Sequence, residues 1–95
     1  MKSPAIYILS NRPNGVLYIG VTSNLPNRIW QHRRGYLDGF SKQYRTHLLV
    51  YYEQFDDMHS AIAREKQLKH WKRTWKIELI ERANPDWLDL YSSLF

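Results

Sequence analysis

Two apolar runs separated by a turn make up residues 5–21, AIYILSNRPNGVLYIGV. Both runs, Ala5–Leu9 and Val16–Val21, are rich in β-branched and aromatic residues, which favour extended strands. Between them, Pro13-Asn14-Gly15 is a strong turn signal, because Asn and Gly tolerate positive φ angles. The stretch therefore predicts an antiparallel β-hairpin.

The rest of the chain carries one further strand signal and three helix signals. Apolar spacing predicts helices over Leu25–Arg34, Met58–Lys72 and Trp75–Arg82, and a strand over His47–Glu53. The order β-β-α-β-α-α predicts an α+β fold, a three-stranded antiparallel sheet flanked by helices. Three strands are not stable alone, so the helices must form the other wall of the core. A chain of 95 residues predicts a single domain, residues 1–95.

Composition limits the class of protein. Hydrophobic residues make up 43% of the chain and aromatic residues 15%, which predicts a packed globule and argues against disorder. The chain has no cysteine, which excludes disulfides and cysteine-rich zinc sites and favours a cytoplasmic location. The apolar run near the N-terminus is too short for a secretory signal or a membrane span, so no membrane association is predicted.

The charge is positive and uneven. The net charge is +5, and residues 1–52 hold seven Lys or Arg against one acid, Asp38. Residues 53–95 hold seven basic and eight acidic residues and are nearly neutral. A basic half favours a polyanionic partner. The alternative is a basic domain that binds nothing.

One carboxylate lies where an apolar residue is expected. On the predicted Met58–Lys72 helix, Met58, Ala61, Ile62 and Leu68 form an apolar stripe, and Glu65 falls in its middle. Glu is almost never buried unless it is paired or coordinates something. Three interpretations remain open: Glu65 pairs with a Lys or Arg, lies where the stripe opens to a cleft, or binds a metal ion.

The first helix and the hairpin hold four more candidate residues. Arg28 and His32 are four residues apart, so they share a helix face that could hold a phosphate. A solvated basic face is the alternative. Tyr7 and Tyr18 lie within aliphatic strands, and a four-residue hairpin loop would place them directly opposite each other. A one-residue change of register would put them on opposite faces.

Taken together and in chain order, these residues resemble the sequence pattern of the GIY-YIG nuclease superfamily. The resemblance rests on Ala5-Ile6-Tyr7, Tyr18-Ile19-Gly20, Arg28 and His32, the segment around Glu65, and Asn84-Pro85. It covers nearly the whole chain and is closest to small single-domain bacterial members. One departure is that Ala5 stands where the first tripeptide has glycine.

The resemblance implies a role for each residue. Glu65 would hold one Mg²⁺ or Mn²⁺ ion, and Arg28 would stabilise charge on the scissile phosphate. Tyr7 would be the general base, Tyr18 a positioning or relay hydroxyl, and His32 would orient or relay protons near the nucleophile. His32 is also the alternative base, because the ordinary pKa of an imidazole is better suited to neutral pH. As a base, Tyr7 would need nearby cations to lower its pKa from about 10. Asn84 would lie beside the site, although an Asn before Pro is also an ordinary N-cap. That cap would begin a short last helix carrying Trp87, Leu88 and Tyr91.

Four basic residues and one tyrosine are predicted to contact nucleic acid. The predicted contacts are Arg33, Lys42, Tyr44, Lys69 and Lys72. The run from Lys69 to Lys76 interleaves cations with Trp71 and Trp75, which either stack on unpaired bases or, as the helical wheel favours, lie in the core.

Three hypotheses follow for the function. The first is a metal-dependent endonuclease that cuts DNA, structure-specific or single-stranded, in repair or recombination, with RNA as an open alternative. The second is a non-catalytic nucleic-acid-binding module on the same fold, and the third is a protein-interaction domain. In a chain of this size the face that cuts must also select the substrate, and a homodimer is one way to extend that face.

Overall fold

The predicted α+β fold is confirmed by a computed structural model, which describes residues 3–35, 39 and 43–95. Its strands are β1 (Ala5–Ser10), β2 (Leu17–Thr22) and β3 (Leu48–Gln54). Its helices are α1 (Leu25–Arg33), α2 (Met58–Lys69) and α3 (Arg73–Ala83), followed by a 3-10 turn over Tyr91–Leu94. The order is the predicted one, with three antiparallel strands in one sheet.

The central strand is β1, which lies between β2 and β3 and is buried along its whole length. Both faces of the sheet are therefore covered. One face, with Ile6, Ile8 and Ile19, packs against residues of α2 and α3. The other face, with Tyr7 and Leu9, packs against α1 and the C-terminal segment. The alternation of side chains along β1 thus divides the molecule into an α1 layer and an α2–α3 layer.

The hairpin register differs from the prediction by two residues. The loop has six residues, and β1 pairs with β2 through Tyr7↔Gly20 and Leu9↔Tyr18. The Asn11 side chain widens the loop, because its Oδ1 accepts a hydrogen bond from the Val16 N–H at 3.0 Å. A shift of two residues keeps side chains on the same face, so Tyr7 and Tyr18 are diagonal neighbours rather than direct partners.

Polar side chains cap the N-termini of α1 and α2. Asn24 caps α1 by accepting a hydrogen bond from Asn27 N–H, and Asp57 caps α2 by accepting one from Ser60 N–H. The second helix ends at Lys69 rather than Lys72, and the third begins at Arg73 rather than Trp75. The basic-aromatic run is therefore divided by a helix junction.

The predicted short helix around Trp87 and Leu88 is wrong. Trp87 has a φ of 55°, a left-handed conformation that a right-handed helix does not contain. Asn84 is the C-cap of α3, not the N-cap of a following helix. Its side chain donates hydrogen bonds to the carbonyls of Val50 and Leu88, and its Oδ1 accepts one from Leu88 N–H. The Asn84 amide therefore holds a turn that returns the chain to β3.

Arg33 and Asp89 fasten the C-terminal segment to α1. Arg33 Nη1 lies 2.6 Å from Asp89 Oδ2, and Asp89 Oδ1 accepts hydrogen bonds from the N–H groups of Leu49 and Tyr91. The Arg33 guanidinium also lies over the Tyr91 ring, 4.8 Å from its centroid. The predicted contact of Arg33 with nucleic acid stays a prediction, and these contacts give the residue a structural role as well.

Candidate active site

Tyr7, Tyr18 and His32 converge on the α1 face of the sheet. Tyr7 Oη lies 3.0 Å from His32 Nε2, and both side chains are buried. The Tyr18 ring is half-buried, with its centroid 6.2 Å from that of Tyr7 and 5.3 Å from that of His32. The two strands supply the phenols and α1 supplies the imidazole. Residues from distant parts of the sequence therefore form one cluster, called here the tyrosine–histidine cluster.

Gly20 makes room for this cluster. A Cβ atom at Gly20 would lie 2.4 Å from the Tyr7 ring, far inside van der Waals contact. Since Gly20 is the direct cross-strand partner of Tyr7, the phenol lies across its backbone. No sequence pattern predicted this role of Gly20, which depends on the cross-strand position of Tyr7. The alanine that replaces the other glycine of the resemblance, Ala5, is buried in the core.

We expect Gly20→Ala to displace the Tyr7 ring and break the hydrogen bond to His32. Overpacking of this kind costs about 1–3 kcal/mol, so the melting temperature should fall by several degrees. The tyrosine and imidazole NMR signals of the cluster should shift in the same variant. The control is Ser60→Ala, which introduces alanine at an exposed position of α2, away from the cluster. Unchanged Tyr7 and His32 signals in Gly20→Ala would contradict this account.

Burial sets the protonation of His32. Burial and, to a smaller extent, the Arg28 guanidinium together lower the pKa of His32 from 6.5 to about 4. The imidazole is therefore neutral at physiological pH. In the tautomer with its proton on Nδ1, the Nε2 lone pair accepts the Tyr7 hydroxyl proton. His32 is thus a proton acceptor for Tyr7.

This lowered pKa predicts a pH-dependent stability. Between pH 6.5 and about 4 the unfolded state binds one more proton at this residue than the folded state. The stabilisation is complete above pH 6.5 and is lost as the pH falls toward 4, at up to about 1.4 kcal/mol per pH unit. The free energy of unfolding, measured with urea at several pH values in this window, should fall more steeply with decreasing pH for wild type than for His32→Gln. Equal slopes would count against a buried neutral imidazole.

The Tyr7 phenol has a pKa raised above its ordinary value of 10, mainly by burial and then by Tyr18. Arg28 acts in the opposite direction on the same group. The resemblance implied a Tyr7 whose pKa is lowered by cations. In this structure the Arg28 charge lowers it, but burial outweighs that charge. Tyr7 is therefore a neutral hydroxyl, which donates to His32 when the imidazole proton is on Nδ1.

Arg28 lies one turn before His32 on α1 and is half-buried. It lowers the pKa of both Tyr7 and His32, so its positive charge acts on both members of the hydrogen-bonded pair. A guanidinium in this place favours an anion beside the phenols. The structure thus supports the predicted pairing of Arg28 and His32 on one helix face.

Glu65 lies in the other layer, on α2, and forms an ion pair. Its side chain is 15% exposed, and Oε2 lies 3.1 Å from Nζ of Lys69, whose side chain is 52% exposed. Of the three interpretations of Glu65, pairing is therefore the observed one. An i,i+4 pair with an exposed lysine contributes only about 0.3–0.5 kcal/mol. Such a pair does not prevent a divalent cation from replacing Lys69.

A cavity of about 220 Å³ lies at the open edge of β2, between this strand and residues of α2 and α3. It is lined by Leu17, Tyr18, Ile19, Lys69 and Lys76. One wall is thus the Tyr18 strand of the tyrosine–histidine cluster, and the other includes Lys69, the partner of Glu65. We call this the β2-edge cavity. Lys76, at the end of the basic-aromatic run, was not among the predicted site residues.

The residues present suit a magnesium-type site better than a zinc-type site. Among residues 3–35, 39 and 43–95, no three His, Asp or Glu side chains are grouped to hold a metal ion. Zinc sites need three or four protein ligands, whereas Mg²⁺ often takes one or two carboxylates and completes its shell with water and phosphate oxygens. A single, partly buried Glu65 beside a cavity meets the second requirement.

The remaining predicted residues are placed as follows. Both amide hydrogens of Asn84 are used in backbone hydrogen bonds, so its contacts are those of a structural residue. Tyr44 is exposed, and Lys72 Nζ lies over the Trp75 ring, 5.5 Å from its centroid. Lys42 lies outside the described residues. Trp75 is 48% exposed, so the prediction that it lies in the core is wrong.

Comparison with known proteins gives consistent results. The family model of the GIY-YIG catalytic domain matches residues 3–78. A UPF0213 protein of Pediococcus pentosaceus is 37% identical over 76 residues, which are 80% of this chain and 79% of that protein. One from Staphylococcus haemolyticus is 36% identical over 81 residues, 85% of this chain and 98% of that protein.

A solved structure shares the fold. The solution NMR structure of the UPF0213 protein of Bacillus halodurans superposes with a TM-score of 0.57 at 24% identity and covers 92% of each chain. In the part of this chain that the structure describes, no helix has the length and apolar character needed to cross a bilayer.

Proposed function

The chain belongs to the GIY-YIG catalytic-domain family, and from this premise we propose that it is a divalent-metal-dependent endonuclease that hydrolyses phosphodiester bonds in DNA. The observation that carries the proposal is the hydrogen bond from buried Tyr7 to neutral His32, with Arg28 acting electrostatically on both. A buried phenol–imidazole pair beside a guanidinium is more than packing requires, and it supplies both a proton path and an anion site.

In this proposal Arg28 binds and orients the scissile phosphate. Phosphoryl transfer depends chiefly on positioning and on stabilisation of developing negative charge. The phosphate charge would also offset the effect of Arg28 on His32, so the pKa of His32 would rise when substrate binds. Substrate binding would therefore make the imidazole a better base.

Tyr7 and His32 then form a proton relay. A water molecule beside Tyr7 gives a proton to the phenol oxygen as the Tyr7 proton passes to His32 Nε2. The phenol remains neutral throughout, which agrees with its raised pKa. Tyr18, beside both rings, holds the water in place. Tyr7 and His32 thus share the role of general base: the Tyr7 oxygen takes the proton of water, and His32 receives the proton that Tyr7 gives up.

Glu65 would hold the metal ion, Mg²⁺ or Mn²⁺. When bound, the ion supplies charge stabilisation at the leaving oxygen and helps orient the phosphate. Lys69, released from Glu65, is then free to contact a phosphate at the β2-edge cavity. We place the activity in repair or recombination of DNA, where structure-specific cutting is needed, and RNA is a second substrate to test.

The experiment that tests this proposal is a cleavage panel. Purified protein is incubated with single-stranded, flap, branched and duplex DNA and with RNA of the same sequences, with Mg²⁺, Mn²⁺ or EDTA. We expect metal-dependent cutting of at least one DNA structure. Absence of cutting on every substrate, with salt-sensitive binding retained, would contradict the proposal.

That outcome would support a second candidate, a non-catalytic nucleic-acid-binding module on the same fold. The observation that favours this candidate is the ion pair of Glu65 with Lys69, which satisfies the carboxylate without a metal ion. The two candidates differ in one measurable respect. A binding module keeps its affinity for nucleic acid in EDTA and leaves the phosphodiester intact.

A further inference from the structure

Two tryptophans form a groove on the outer side of α3. The Trp71 and Trp75 rings stand edge to face, with centroids 6.1 Å apart and planes at 86°. A cavity of about 320 Å³ is lined by Trp71, Trp75, Glu78, Leu79 and Arg82. We call these five residues the tryptophan groove. Its volume is at the lower end of the range for small-ligand pockets, which suits a single ring system rather than a duplex.

The exposed Trp75 ring has no part in the packing of the core. Trp71, Ile77 and Leu79 pack against the core, but Trp75 is not among the residues that do so. Trp87, by contrast, is buried and donates its indole N–H to Glu81. A large aromatic ring left in solvent beside a second one, with polar residues around it, is typical of a binding surface.

Two further cations lie beside the groove. Lys72 Nζ is 5.5 Å from the centroid of the Trp75 ring. The Arg64 guanidinium is 5.2 Å from that of Trp71, and its charge is paired with Glu53. Arg82 lines the groove itself, and Glu78 is the acidic residue among its five. Aromatic rings that alternate with positive charge match the chemistry of single-stranded nucleic acid, whose bases stack while its phosphates contact cations.

The helix junction links this groove to the candidate active site. Lys69 lines the β2-edge cavity, and Lys72, three residues later, lies over Trp75. On α3, Lys76 lines the same cavity while its neighbour Trp75 lines the groove. Helix α3 thus presents the Lys76 cation to the β2-edge cavity and the Trp75 indole to the tryptophan groove.

We infer that the tryptophan groove stacks an unpaired base of the substrate near the scissile phosphate, so that the substrate is DNA with single-stranded character at the cut. This inference rests on the proposed function and deepens it by naming the substrate class. Strands with an unpaired base, such as single strands and flaps, would fit both sites at once. A continuous duplex keeps its bases stacked inside and offers none to the groove.

The test separates binding from cutting. In the full chain carrying Glu65→Gln, affinity is measured for a labelled single strand and for a blunt duplex of the same sequence. Trp75→Ala should weaken single-strand binding about five- to hundredfold and leave duplex binding unchanged. Trp75→Tyr should retain most of the single-strand affinity, because a stacking ring is kept. The dependence on salt should not change, since no charge is removed.

A matched control is available on α1. Trp30 is also an exposed tryptophan, 39% exposed, with the Arg34 guanidinium over its ring at 5.5 Å. Trp30→Ala should leave the affinity for both probes unchanged. The inference is overturned if Trp75→Ala binds the single strand normally, if it loses both probes equally, or if Trp30→Ala has the same effect.

Failure of this inference is distinguishable from failure of the proposed function. If wild type cuts DNA and Trp75→Ala binds single strands normally, the groove inference is wrong and the nuclease proposal stands. If Trp75→Ala selectively loses single-strand binding and wild type cuts nothing, the groove inference stands and the nuclease proposal is wrong.

Discussion

Glu65→Gln is expected to abolish metal-dependent cleavage while leaving the fold intact. The substitution keeps the size of the side chain but removes the negative charge that would bind the cation. Metal-ion charge stabilisation is worth several kcal/mol in the transition state, so the rate should fall by about a thousandfold or more. The fold should survive, because the pair with exposed Lys69 contributes only about 0.3–0.5 kcal/mol. Single-turnover cleavage and thermal unfolding measure the two quantities.

The matched control for this variant is Asp56→Asn. Asp56 is an exposed carboxylate just before α2, outside both the site and the Asp57 cap. It should cut at the wild-type rate. If Glu65→Gln retained activity comparable to that of Asp56→Asn, the assignment of Glu65 as the metal ligand would be wrong.

Tyr7→Phe is expected to have the second largest effect. It removes the hydroxyl through which the relay passes, and loss of a positioned proton-transfer group costs about a hundredfold to ten-thousandfold in rate. It also removes the buried hydrogen bond between Tyr7 Oη and His32 Nε2, which should destabilise the fold by about 1–3 kcal/mol. The cleavage rate at saturating DNA is the measurement, with stability determined in parallel so that the two effects are separated.

The control for Tyr7 lies on the opposite face of the sheet. Tyr51 is also a hydrogen-bonded tyrosine, half-buried, but its partner is Glu53, which Arg64 in turn binds. Tyr51→Phe should lower stability and leave the rate unchanged. Equal rate losses in the two variants would show that Tyr7 acts only through the fold, and a normal rate in Tyr7→Phe would remove the phenol from the mechanism.

Much of the site follows from local sequence patterns. The hairpin could be predicted because strand propensity and a Pro-Asn-Gly turn agree, and the α1 cap because Asn24 precedes an apolar period. Glu65 stood out because a carboxylate interrupts an apolar stripe. Each of these signals acts within one element, where the spacing of residues determines which side chains share a face.

The remainder depends on contacts between elements. The hairpin register depends on the Asn11 side chain, and the turn after α3 depends on Asn84 reaching β3. Neither contact is visible in a periodicity. The raised pKa of Tyr7 could not be predicted either, because it results from the depth of burial rather than from the charges nearby. Trp75 is exposed although the helical wheel favoured the core, because α2 ends at Lys69 and Trp75 belongs to the separate helix α3.

The central claim is that Glu65 and the tyrosine–histidine cluster serve one metal-binding site across the edge of β2. Titration with paramagnetic Mn²⁺, followed by NMR, tests this directly. We predict that the signals of Glu65, Lys69 and Tyr18 broaden first, and that Glu65→Gln removes this broadening. Broadening that begins at Asp56 and Asp57 instead, or that is the same in Glu65→Gln, would contradict the claim.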